Sequence, residues 1–226
     1  MKNRIVAVFF ALSGAYLGSL FFSPYAFQYI PKALPIALLI VMVVNRLAGI
    51  PRVIVASALL FSLAGDVVLT LSIKHSFLAG LTCFFLAHIA YVMAFYNLKK
   101  YTYHTQYSEA SSKFTKGLIS FCVIVFALLM ATHILPASNT LYVPVLAYLS
   151  VILLMGLSAV WFGNTRFITS GALLFVISDA VLAQSVFHTP LPFSPFLVML
   201  TYYAAQCCLA FGLVAAFKRE GNALIA

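Results

Sequence analysis
Eight long apolar runs divide the chain, at roughly 4–22, 28–47, 51–73, 76–98, 115–135, 139–162, 165–187 and 194–218. Each is near the ~20 residues that a helix needs to cross a bilayer. In lipid, backbone N–H and C=O groups are satisfied only inside a helix or a closed barrel. Runs this long and continuous specify helices. The expected fold class is therefore an all-α integral membrane protein, a bundle of about eight transmembrane helices in a single domain over residues 1–226. Composition closes the alternative. The chain is 64% hydrophobic and 8% charged, with 13 Lys+Arg and 4 Asp+Glu in 226 residues, where a soluble domain carries about 25% charged residues. That is too little polar skin for a soluble domain of this size. A soluble enzyme, a nucleic-acid-binding domain and a disordered chain are excluded, so the formal net charge of +9 does not point to nucleic acid.

The basic residues sit at the ends of the apolar runs, and alternate runs put them on one side. Lys2, Arg4, Arg46, Arg52, Lys99, Lys100, Lys113, Lys116, Arg166, Lys218 and Arg219 fall on one face of the membrane, and only Lys32 and Lys74 on the other. The positive-inside rule then makes both termini cytoplasmic. The polar stretch at about 99–114 is the one substantial loop and is cytoplasmic in this orientation. The first run is longer than a signal-peptide core and no clear small-residue cleavage site follows it, so it reads as a retained helix. A bacterial inner membrane is the expected location. Cys83, Cys122, Cys207 and Cys208 lie inside apolar segments, with no spacing that suggests zinc or a disulfide framework.

The third run contains Leu59-Leu60-Phe61-Ser62-Leu63-Ala64-Gly65-Asp66-Val67-Val68-Leu69. With one gap it echoes Leu173-Leu174-Phe175-Val176-Ile177-Ser178-Asp179-Ala180-Val181-Leu182 in the seventh. The two runs are four apart and parallel, the trace that a repeat of two parallel four-helix halves would leave. Chance similarity of Leu- and Phe-rich spans is the competing explanation.

Of the four acidic residues, Glu109 is in the loop and Glu220 in the tail, while Asp66 and Asp179 are within apolar helices. A carboxylate inside a membrane costs at least a few kcal/mol and marks a functional site unless it is a polar tie between helices. At 1.5 Å per residue, Asp66 lies roughly 10 Å and Asp179 roughly 12 Å below the non-cytoplasmic ends of their runs. Two costly groups at one level point to one site. Two carboxyls in one dry pocket do not both ionise easily, so one holds a proton while the other stays charged. This is an arrangement for general acid–base chemistry. Gly65 offers no side-chain donor beside Asp66, whereas Ser178 adjoins Asp179; these neighbours lean toward Asp66 as the acid without deciding it.

Other polar residues reach the same depth. Tyr148, Tyr202 and Tyr203 fall roughly 12–14 Å down, and His88 and Gln206 roughly 18 Å. Ser62 is one helical turn from Asp66. Together with Ser178 these residues are expected to line one polar cavity opening to the non-cytoplasmic side. The bland alternatives are a satisfied core histidine, interfacial tyrosines and, for Lys32, a snorkelling anchor. The functional alternative for Lys32 is a cation for a lipid phosphate. His88 is the only histidine well inside the membrane, short of the three ligands that a zinc hydrolase uses; no metal and no cofactor is expected.

These residues resemble a known family, the YhhN-like membrane proteins, the lysoplasmalogenase family. The resemblance rests on Phe61-Ser62-Leu63-Ala64-Gly65-Asp66, on Phe77, Gly80, Phe84, His88, Ile89 and Tyr91, on Gly171 through Ala183 around Asp179, and on Tyr202-Tyr203-Ala204-Ala205-Gln206. Lys32 with Leu34-Pro35 is similar to a further family motif, with Ala33 in place of its first proline. The resemblance implies an eight-span bundle that hydrolyses the vinyl ether bond of lysoplasmalogens to a fatty aldehyde and a glycerophosphoethanolamine or glycerophosphocholine. It implies Asp66 and Asp179 as the catalytic pair and a lysophospholipid as the substrate. The chemistry suits two acids: protonating the distal alkene carbon leaves an oxocarbenium ion, and water then adds. A glycosidase passes through a similar cation with two carboxyls. The competing class is a proton-coupled small-molecule transporter in which the same aspartates carry protons; a non-catalytic membrane scaffold is the third. Head-group preference and oligomeric state are not legible in the residues.

Overall fold
The computed structural model describes residues 2–71, 73–105, 113–163 and 165–223. Eight α-helices follow one another: α1 (Lys2–Ser19), α2 (Tyr29–Arg46), α3 (Gly49–Thr70), α4 (Ser76–Thr105), α5 (Lys113–Ile134), α6 (Tyr142–Phe162), α7 (Arg166–Phe187) and α8 (Ser194–Ala223). All eight are long and apolar enough to cross a membrane, and no strand is present among the described residues. Local chemistry sets the breaks. Gly49 takes a positive φ of 59° between α2 and α3, and Pro51 sits in the first turn of α3, where a missing N–H costs nothing. At the start of α7 the Thr165 hydroxyl accepts from the Ile168 N–H at 3.2 Å, a side-chain N-cap.

The described connections are short, so successive helices run antiparallel. One end of the bundle, the near end, holds the start of α1 and the end of α8; at the far end α3 ends and α4 begins. Among the described basic residues, the near end carries Arg4, Arg46, Arg52, Lys99, Lys100, Lys113, Lys116, Arg166, Lys218 and Arg219. This matches the charge asymmetry in the sequence.

The expected runs and the observed helices agree to within a few residues, with one physical difference. Helix α4 continues through Lys99 and Lys100 to Thr105, into the stretch expected as a loop; residues 106–112, with Glu109, lie outside the described residues. Apolarity ends near residue 98, but a helix satisfies its own backbone and need not stop where the membrane does. Lys99 bends back over the Phe162 ring, its ammonium 4.4 Å from the centroid, which anchors this extension to α6 by a cation–π contact.

Packing follows small residues. The most extensive contacts are α3 with α4 and α7 with α8. Gly65 lets the Phe84 ring lie against α3, and Gly80 receives Leu69 in return. On the other pair, Gly171 faces Leu209 and the Ala205 carbonyl of α8. Such close approach is how helices associate where lipid removes the hydrophobic drive. Helix α5 stands at the periphery and turns Phe121, Leu128 and Leu129 outward, as a lipid-facing helix should. A Cβ at position 65 would sit 2.6 Å from the Phe84 ring, whereas at position 14 it would meet nothing within 4 Å. Gly65→Ala should therefore lower stability by about 1–3 kcal/mol through overpacking, and Gly14→Ala should not; thermal unfolding of both in detergent checks this.

Candidate active site
The two aspartates lie on parallel helices, Asp66 on α3 and Asp179 on α7, each near the far end. They occupy two adjoining nests. In the first, Asp66 is 2% exposed. The Tyr202 hydroxyl donates to its Oδ2 at 2.6 Å, and the Lys32 ammonium stands 3.5 Å from its Oδ1. Lys32 also donates to the Asp66 backbone carbonyl at 3.2 Å and to the Thr70 hydroxyl at 3.3 Å, while that hydroxyl donates to the same carbonyl at 2.8 Å. The Tyr203 hydroxyl donates to the Lys32 carbonyl at 2.8 Å. Lys32 therefore turns inward, buried against α3, rather than toward the membrane surface. A buried carboxylate must be paired and hydrogen-bonded to be tolerated; Lys32 pairs with it and Tyr202 donates to it, while Thr70 and Tyr203 bond to the backbone carbonyls of Asp66 and Lys32.

In the second nest, the Tyr148 hydroxyl donates to Asp179 Oδ2 at 2.6 Å. The His88 Nε2 lies 3.3 Å from the same oxygen and 3.1 Å from the Tyr148 hydroxyl oxygen. With Tyr148 spending its proton on Asp179, both bonds are made when His88 carries its hydrogen on Nε2. His88 is fully buried, and its Nδ1 has no partner. Tyr91, one turn further along α4, donates to Gln206 Oε1, leaving the buried Gln206 Nε2 without a partner. Buried polar atoms are nearly always paired; of the four without a partner among the described residues, two lie here and the others are Ser13 Oγ and Asn97 Oδ1.

Aromatic rings separate the nests. Phe175 stacks edge-on against His88 at 4.7 Å and Tyr202 at 5.5 Å, and Phe84 against Tyr202 at 5.9 Å. No described side chain bonds to both carboxylates. A cavity of about 60 Å³ reaches the second nest alone. Its walls come from α3, through Leu69, and from α4, α5, α6 and α7, and its only polar side chains are Tyr148 and Asp179. At its floor Val123, Ile152 and Val176 converge above Gly156, where an added Cβ would touch both valines. At its far-end mouth Phe77 meets Phe187 edge-on at 5.8 Å.

This geometry revises the expected polar cavity. Tyr202, Tyr203, His88 and Gln206 are all in the interior, but the bonds they make go to Asp66, the Lys32 carbonyl, Asp179, Tyr148 and Tyr91 rather than into the cavity. The cavity is apolar because α5 and α6 turn only aliphatic and aromatic residues into it. Ser62 bonds back to the Ala58 carbonyl at 2.9 Å and Ser178 to the Val198 carbonyl of α8 at 2.9 Å. Ser62 lies one turn before Asp66 on the same face, but its hydroxyl proton goes to the Ala58 carbonyl, and Ser178 points about 100° away from Asp179 around α7. Ser178 therefore does not serve Asp179 as a donor; Asp66 carries the ion pair, and Asp179 meets the cavity. Thr70 escaped the sequence reading, although its position one turn after Asp66 was a usable signal.

Fold and site together define a polytopic helical membrane protein with paired intramembrane acids, one of them at the end of an apolar chamber. The chain belongs to the YhhN family, whose model matches residues 27–213. It is similar to Lysoplasmalogenase TMEM86B of Homo sapiens, 32% identical over 154 residues that make up 66% of this chain and 58% of the relative. It is similar also to Lysoplasmalogenase TMEM86A of Bos taurus, 28% identical over 69% of this chain and 63% of the relative. Lysoplasmalogenase TMEM86B of Sus scrofa is 32% identical over 73% of this chain and 65% of the relative. The chain thus spans less than two thirds of the length of these relatives. No solved structure matches it significantly.

Asp66→Asn should leave Lys32 buried and unpaired, a loss of about 3–5 kcal/mol. Removing both charges in Lys32→Met/Asp66→Asn should recover most of it, because no uncompensated charge is then left buried. Comparing thermal unfolding of the two variants in detergent checks the pairing.

Proposed function
We propose that this protein is an intramembrane hydrolase that cleaves the vinyl ether bond of lysoplasmalogens. The products are a fatty aldehyde and glycerophosphoethanolamine or glycerophosphocholine. The observation that carries this reading is the apolar chamber with a single carboxyl in it, Asp179, held by Tyr148 and His88. Its aliphatic and aromatic walls suit the chain of a lipid rather than a polar solute. The names of the relatives agree with the substrate class.

The chemistry proceeds from these side chains. Protonated Asp179 delivers its proton to the alkene carbon distal to the ether oxygen, and the C=C electron pair forms the new C–H bond. The ether oxygen lone pair stabilises the resulting oxocarbenium ion, and the Asp179 carboxylate now stands beside the cation as its counter-charge. Water adds to the cationic carbon. Its proton passes to Asp179, with His88 and Tyr148 orienting the carboxyl. The hemiacetal then collapses: Asp179 returns its proton to the glycerol oxygen, the carbon–oxygen bond to glycerol breaks, and the hemiacetal hydroxyl gives its proton to the Asp179 carboxylate as its O–H electrons form the aldehyde C=O. Asp66 is the second acid. Paired with Lys32 and bonded by Tyr202 behind the Phe175 and Phe84 rings, it stands on the side of the site away from the chamber. In this reading the near end, with its lysines and arginines, faces the cytoplasm, and the chamber opens toward the opposite leaflet.

The test is aldehyde release from a lysoplasmalogen by the purified protein in detergent, where no gradient exists to drive transport. Wild type should release aldehyde. Asp179→Asn should lose at least the 10²–10⁴-fold that a general acid contributes, and Tyr148→Phe should lose about tenfold. No aldehyde from folded wild type overturns the substrate; full activity in folded Asp179→Asn overturns the acid.

A further inference from the structure
We propose that the groove between α4 and α6 is the lateral portal through which a single lipid chain passes from the membrane into the chamber. This deepens the reading of the chamber as a lipid site and rests on it.

A second hollow, of about 170 Å³ and open to the surface, lies between these two helices. Leu78, Thr82 and Phe85 wall it on α4, and Pro144 and Ala147 on α6. Two further residues, Leu81 and Tyr148, line both this groove and the chamber. The partition between the hollows is therefore made by these shared side chains. Thr82 and Ala147 stand exposed on its outer rim, on the surface that the bundle presents to lipid.

Three features fit an alkyl chain as the occupant. The groove is walled by apolar residues, and its one side-chain hydroxyl other than Tyr148, that of Thr82, is spent on the Leu78 carbonyl at 2.8 Å. From Leu78 to Phe85 it runs roughly 10 Å along α4 at 1.5 Å per residue, within the ~15 Å depth of one leaflet's hydrocarbon. It leads to Tyr148, whose hydroxyl holds Asp179, so a chain passing Leu81 arrives beside the carboxyl. At the far-end mouth, by contrast, the Phe77–Phe187 contact stands across the direct route from water. A chain entering sideways need never leave hydrocarbon, so no CH₂ is exposed to water on the way.

The portal is tested by binding, independently of catalysis. Phe126 lines the chamber and reports its contents when it is the only tryptophan. The variant Phe126→Trp/Trp161→Phe also carries Thr82→Cys and Ala147→Cys, with the four native cysteines changed to alanine. It is placed in phosphatidylcholine nanodiscs with a lysophosphatidylcholine bearing a dibrominated chain, which quenches tryptophan on contact. A reducible thiol cross-linker then closes the groove. Quenching in the open form, lost on cross-linking and regained on reduction, supports the portal. Equal quenching with the groove locked overturns it, as does an absence of quenching in the open form. Ala147→Phe, which fills the groove without a link, should give the same loss and guards against a cross-link that distorts the bundle. Aldehyde release by wild type is scored separately: chain entry without hydrolysis leaves the portal standing and removes the proposed reaction, whereas hydrolysis undiminished by the lock removes the portal alone.

Discussion
A carboxylate inside a lipid-embedded bundle has no water to solvate it, and the arrangement of this protein follows from that constraint. Asp66 is met by Lys32 from α2, Tyr202 from α8 and, through the lysine, Thr70 from its own helix. Asp179 is met by His88 from α4 and Tyr148 from α6. Each acid thus ties helices that are distant in sequence. The ties act in the far half of the bundle, where α3 and α7 approach their ends.

The two nests differ in kind. Around Asp66 a positive and a negative charge are closed off together behind Phe84 and Phe175. Around Asp179 the partners are a phenol and an imidazole, and one side is left to an apolar chamber. A charge sealed with its counter-ion is suited to holding structure and setting potential. A carboxyl that shares its bonds with groups able to pass protons, and that faces empty apolar space, is suited to meeting a substrate. The glycine before Asp66 serves this division, because its missing side chain is the space in which the Phe84 ring lies.

The chamber and the groove beside it use the same economy. Tyr148 donates to Asp179, packs edge-on with His88 at 5.4 Å and walls both hollows. One side chain therefore couples the chemistry of the acid to the path by which a lipid chain would reach it. This coupling is possible because α6 carries Tyr148 between the polar interior and the lipid-facing groove.

The sequence by itself determined the spans, because a helix of apolar residues in lipid satisfies its own backbone and each run can be recognised alone. It also determined which acids matter, since a charge in an apolar run is costly wherever it folds, and the family motifs around Asp66 and Asp179 were legible for the same reason. The end of α4 was not, because a helix can outlast its hydrophobic stretch. Tertiary structure decided what each polar group bonds to. Ser62 and Ser178 looked like neighbours of the aspartates along the chain, yet each turned to a backbone carbonyl; Lys32 looked like a surface cation and closed on Asp66. Depth along a helix can be counted from sequence, but the direction a side chain faces around the helix depends on which helices pack against it. That rotation separated the two acids and left the apolar chamber to Asp179 alone.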